Sequence, residues 1–104
     1  MDSFTALADP TRRRIVETLA VGEQSFGDIA LQFEMSRPAV SQHLKVLRQA
    51  GIVVARADAQ RRIYRLDDDA LDELDAWLSR VRNFWNPRLD RLEQVLSELP
   101  EDEK

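Results

Sequence analysis

A chain of 104 residues is sized for a single small domain, and with no cysteine among them disulfides and thiolate metal sites are excluded. No run of about 18 apolar residues occurs, and the N-terminus has an acid at position 2 with no apolar stretch behind it. Neither a membrane span nor a secretory signal is therefore expected, a cytoplasmic location is, and a net charge of −4 taken alone disfavours nucleic acid.

In chain order, Ser3 can cap a short opening helix through Leu7. Asp9-Pro10 reads as the N-cap and first-turn proline of a helix over Thr11–Val21, with Ile15, Val16, Leu19 and Ala20 as its apolar stripe and Gly22 as its stop. Ser25, with Asp28 three residues on, opens a helix to about Phe33 that buries Phe26, Ile29, Ala30 and Phe33. Ser36 is a further cap with Pro38 in the first turn, and this helix runs to Ala50 and ends at Gly51.

Ile52-Val53-Val54 and Arg61–Leu66 are short β-prone runs around Asp58-Ala59-Gln60, a hairpin pattern. Its turn lacks glycine, so the loop is expected to exceed two residues. From Asp67 to about Leu99 the pattern is helical again, with Asp67, Asp68 and Asp69 at the end where the helix dipole favours acids. Leu71, Leu74, Leu78, Val81, Trp85, Leu92, Val95 and Leu99 follow three-and-four spacing, which marks a helix–helix seam flanked by Leu89 and Leu96. Pro87 predicts a kink or a break. The chain thus reads as one domain over residues 1–99, with a long C-terminal helix from about 67 to 99 and a frayed acidic tail at 100–104. The fold class is mainly α with a small β-hairpin wing, the arrangement of a winged helix-turn-helix.

The charge is unevenly distributed. Residues 36–65 hold seven basic residues against one acid, a local +6, whereas residues 1–35 carry −3 and residues 66–104 carry −7. Screening confines a charge's field to about 10 Å at ordinary salt, so local charge decides phosphate binding. At 100° per residue, Val40, Leu44 and Leu47 form the buried stripe of the Ser36–Gly51 helix, while Pro38, Ser41, Gln42 and Lys45 point the other way. Gln42 suits adenine edges, Ser41 a base or phosphate, and Lys45 guanine or phosphate. Ser36 and Arg37 sit in the first turn, where a base or a phosphate is within reach. The hairpin adds Arg56, Arg61 and Arg62, with Tyr64 interleaved. These residues form a candidate face for double-stranded DNA.

The stretches ALADPTRRR (6–14), Ile15–Leu19, Ser36–Gly51 and RRIYRL (61–66) closely resemble the ArsR/SmtB family of bacterial winged-helix repressors, over nearly the whole chain. The resemblance implies a homodimer that binds an operator and represses transcription until an effector changes its conformation. It also implies dimerisation through the first and last helices, here Phe4 and Leu7 with Leu71, Leu74, Leu78, Val81, Trp85 and Leu92. Metal-sensing members carry a cysteine pair on the helix before the recognition helix, or paired Asp and His residues on the last helix. FGDIALQF (26–33) and the last helix have neither, so no metal and no cofactor is expected. The tail WLSRVRNFWNPRLDRLEQVL, with Trp77, Phe84 and Trp85, resembles a metal-independent subgroup, and the residues name no effector.

Other readings stand beside these. His43, the single histidine, can meet DNA or be held by a neighbour. Tyr64 can meet DNA or pack beneath the wing. Arg12–Arg14 can touch phosphates or form a solvated or salt-bridged face, and Trp77, Phe84 and Trp85 can line a pocket or an interface. An enzyme is not expected, since there is no glycine-rich phosphate loop and no base–nucleophile pair. A pure protein-interaction module is disfavoured by the basic face.

Overall fold

The computed structural model describes residues 2–99. The expected fraying of residues 100–104 lies outside that range. Its elements are α1 (Ser3–Ala6), α2 (Pro10–Ala20), β1 (Gln24–Ser25), α3 (Phe26–Ala30), α4 (Arg37–Gln49), β2 (Val53–Asp58), β3 (Arg61–Leu66) and α5 (Asp68–Glu98). Two compact units divide at Leu71: the first holds every element up to the opening turn of α5, and the second is the rest of that helix.

The helix starts follow from side chains that accept orphan amide N–H groups. Asp9 Oδ2 accepts from the Arg12 amide at 3.0 Å, Ser25 Oγ from Asp28 at 3.1 Å and Ser36 Oγ from Ala39 at 3.2 Å, all at the expected caps. In α1 the cap is Asp2 and not Ser3: Oδ1 accepts from the Thr5 amide at 2.8 Å and Oδ2 from the Thr5 hydroxyl at 3.1 Å. A carboxylate at this end of a helix gains from the dipole as well as from the hydrogen bond, which favours it over a hydroxyl. The Thr5 amide holds the Asp2 carboxyl below its ordinary range.

The stop of α4 is a Schellman motif. Gly51 takes φ +81°, its N–H donates to Arg48 O at 3.0 Å, and the Ile52 N–H donates to Leu47 O at 3.1 Å. Leu47 and Ile52 are both fully buried, so the turn also closes an apolar contact. By contrast α3 ends at Ala30, short of the expected Phe33. There the Gln32 amide bonds to Ile29 O and the Phe33 amide to Ala30 O, a tightened three-residue spacing that still delivers Phe33 to the core.

The sheet has the order β1–β3–β2, all antiparallel. In β2 and β3 the register runs from Val53↔Leu66 to Asp58↔Arg61, which leaves only Ala59 and Gln60 in the loop. The longer loop expected from the missing glycine is thus incorrect: Ala59 itself takes φ +56°. A left-handed alanine is strained, because its Cβ crowds the following carbonyl oxygen. Ala59→Gly is expected to raise unfolding stability by about 0.5–1 kcal/mol in a denaturant titration, the strain relief exceeding the added chain entropy. A lowered midpoint would show that the turn carries no strain.

The core of the first unit joins α2, α3 and α4 to one face of the sheet, with Ile15, Ile29, Val40, Leu44, Leu47 and Ile52 wholly inaccessible. α5 starts from it, the Asp67 N–H donating to Ile52 O at 2.8 Å. Pro87 lies inside α5, which is one helix from Asp68 to Glu98, so of the expected kink or break the break does not occur. A proline removes one ladder bond, here that to Asn83 O, and long helical turns on both sides keep the helix going.

Candidate nucleic-acid interface

α4 carries two opposed faces. Val40, Leu44 and Leu47 are fully buried, and Ser36, Arg37, Pro38, Ser41, Gln42 and Lys45 are exposed. Continuing at 100° per residue places Arg48 and Gln49 on the same exposed band. Both are solvent-accessible, so the exposed band continues past Lys45 to the end of the helix. The Arg37 guanidinium rests 5.1 Å from the centre of the Phe26 ring, which steadies it at the start of the helix.

Two clefts flank this helix. One of about 480 Å³ has Arg37 and Ser41 on one side and Gln60, Arg61, Arg62 and Tyr64 of the hairpin on the other. The other, of about 470 Å³, lies between Lys45, Arg48 and Gln49 of α4 and Val53, Val54 and Ala55 of β2.

The strand pleat divides the wing arginines that the sequence had grouped together. Val53 and Tyr64 belong to the core with Ala55 and Leu66 packed beside them, and the register puts Arg62 on this same helix-facing side. Arg56, Asp58, Arg61 and Ile63 alternate onto the opposite side. There Arg56 donates to Glu23 Oε1 at 2.7 Å and Arg61 to Asp58 Oδ2 at 3.0 Å. Arg61, next to the turn, still lines the first cleft; Arg56 does not, and it is bound to a carboxylate on the far face. Tyr64, 6% exposed, packs beneath the wing with the core, and only its edge reaches the first cleft.

The Arg12–Arg14 run is occupied internally. Arg12 Nε donates to Ala6 O at 2.6 Å, Arg13 donates to Leu7 O and Ala8 O, and Arg14 lies 5.1 Å over the Phe33 ring. His43 turns toward this corner. Its Nδ1 is 3.4 Å from an Arg12 guanidinium nitrogen and 3.9 Å from Asp9 Oδ2, so the ring ties α4 to the start of α2. The Asp9 carboxyl is held below its ordinary range by the Arg12 amide, with the nearby His43 and Arg12 adding to the effect. Among the described residues no three of His, Cys, Asp and Glu gather as metal ligands, and no helix is long and apolar enough to cross a membrane.

On α5, Leu71 and Leu74 are half-buried, whereas Leu78, Val81, Trp85 and Leu92 are exposed. Trp77 and Phe84 are also exposed, and Arg88 stacks 4.1 Å over the Phe84 ring and 5.8 Å from that of Trp85. In the first unit Phe4 is exposed and Leu7 half-buried.

Residues 9–54 match the family model described as bacterial regulatory protein, arsR family. An HTH-type transcriptional regulator of Mycobacterium tuberculosis is 44% identical over 100 residues, 96% of this chain and 91% of its own length. The transcriptional repressor SdpR of Bacillus subtilis is 37% identical over 80 residues, 77% of this chain and 89% of its own. The crystal structure of a possible transcriptional regulator for arsenical resistance superposes with a TM-score of 0.72 at 42% identity, over 97% of this chain and 99% of that one. The three-helix core, the exposed α4 face and the hairpin beside it are the winged helix-turn-helix of that group, and the chain belongs to the arsR family of bacterial DNA-binding transcription regulators.

Proposed function

We propose that the protein is a homodimeric repressor that reads an inverted-repeat operator in the cytoplasm and does not respond to metal. The observation that carries the reading is the face of α4: exposed polar and basic side chains, backed by three residues with no exposure at all. A helix held this rigidly from behind enters a major groove as a unit, with Ser41 and Gln42 toward base edges, Lys45 toward guanine or phosphate, and Arg37 and Arg62 toward backbone. Two copies related by a twofold axis place their helices in successive grooves about 34 Å apart. The absence of cysteine from the whole chain, with the one histidine engaged by Arg12, supports an effector other than a metal.

Selection of bound fragments from the source genome identifies the operator. Gln42→Ala/Lys45→Ala is then expected to lose at least about tenfold in operator affinity, since a good base contact contributes about 1–3 kcal/mol. Added zinc(II) should leave wild-type affinity unchanged. An affinity of the variant within twofold of wild type would remove the reading face from α4, and zinc-dependent release of DNA would restore a metal sensor.

A further inference from the structure

We propose that the cleft between the C-terminal half of α4 and strand β2 seats a DNA backbone phosphate, with Arg48 and Lys45 as its cationic wall. The proposal rests on the DNA-binding reading above and adds a second backbone seat, at the C-terminal end of α4 and the base of the wing, away from the hairpin turn.

Most cations of the first unit are engaged within the fold, and a few are not. Of the basic residues in the first unit, Arg12, Arg13 and Arg65 donate to backbone carbonyls, and Arg14 and Arg37 lie on aromatic rings. Arg56 and Arg61 are held by carboxylates. Lys45, Arg48 and Arg62 remain, with no hydrogen bond, ion pair or ring contact among the described residues. All three line clefts beside α4, Arg62 the one at the wing and Lys45 with Arg48 the other.

The second cleft has the composition that a nucleotide backbone requires. Its walls contain two cations, one amide and no acid, facing the edge of β2 at Val53, Val54 and Ala55, where Val53 itself is buried in the core. Lys45 and Arg48 are three residues apart on one helix face, where like charges repel unless an anion lies between them. A phosphate meets the cations, and the apolar strand edge accepts the sugar. Arg37 and Arg48 are about 16 Å apart along the helix axis at 1.5 Å per residue, so the two clefts are far enough apart to meet different phosphates, which are spaced about 3.4 Å along each strand.

The test is a titration of the full chain with a mixed-sequence duplex across about 50–200 mM salt, which reads the number of phosphates neutralised. Arg48→Gln is expected to bind every sequence more weakly and to flatten the slope of log affinity against log salt by about 0.9 per cleft occupied, or about 1.8 for a dimer. Arg48→Lys should restore the slope, because it restores the charge and not the shape. Arg48 is exposed, so an unchanged melting temperature is expected in both variants. If Arg48→Gln keeps the wild-type slope while Arg62→Gln flattens it, the second seat is overturned and the DNA reading stands. If wild type shows no salt-dependent duplex binding, both fall together.

Discussion

Replacing Leu78 and Trp85 together by aspartate is expected to leave the protein monomeric and to weaken operator binding by about 100-fold or more, the usual scale of the advantage gained by linking two binding sites. Both side chains are about half exposed, at 48% and 52%, on a helix whose first turn is already tied to the core. At 100° per residue Leu71, Leu74, Leu78, Val81, Trp85 and Leu92 fall within a band about 80° wide, the width of a seam that faces one partner helix. A large aromatic can bury about 150–250 Å² at such a seam, and unpaired carboxylates there would have to be desolvated in its place. Sedimentation equilibrium reads the outcome directly. A dimer that persists in the double variant would place the interface on another surface.

The second large effect lies under the reading face. Leu44 has no exposed surface and sits between Val40 and Leu47 on the buried side of α4. Leu44→Ala is expected to lower unfolding stability by about 2–5 kcal/mol, the transfer term plus the cavity left behind. For a domain whose whole stability is about 5–15 kcal/mol, that is a large share. Chemical denaturation measures it, and a loss below about 1 kcal/mol would mean that the core closes over the gap. Gln42→Ala, two residues away on the exposed face, should leave the same transition within about 0.5 kcal/mol. The pair separates the two faces of one helix: one change acts on folding, the other on binding.

Much of this architecture is legible in the chain because its punctuation is local. Asp9-Pro10, Ser25, Ser36 and Gly51 act within four residues of themselves, and each forms the cap expected of it. The α4 stripe is equally local, since Val40, Leu44 and Leu47 share a face by geometry alone. What escaped depends on distant partners. β1 is two residues long and exists only because Gln24 and Ser25 pair with Tyr64 and Ile63, so no alternation could announce it. The two-residue turn at Ala59 is imposed by six strand residues in register on each side of it, which outweigh one alanine's preference. The site shows the same division. Composition marked the wing as basic, but only strand register tells Arg62, beside α4, from Arg56, bound to Glu23 on the far face. Likewise Tyr64 and His43 carry the chemistry of DNA contacts, and their actual neighbours lie 30 or more residues away in sequence or under the sheet.

The three consecutive arginines have a consequence for genetics. Arg12 and Arg13 clasp the carbonyls that close α1, and Arg14 covers Phe33. A screen for mutants that fail to repress would return substitutions at all three, and their positive charge would invite a place on the operator-contact map. Their defect would instead track cellular abundance: less folded protein, with the surviving molecules reading the same sequence as wild type. Scoring repression against the amount of protein in the cell sorts these positions from Gln42 and Lys45, whose variants would accumulate normally and leave the promoter open.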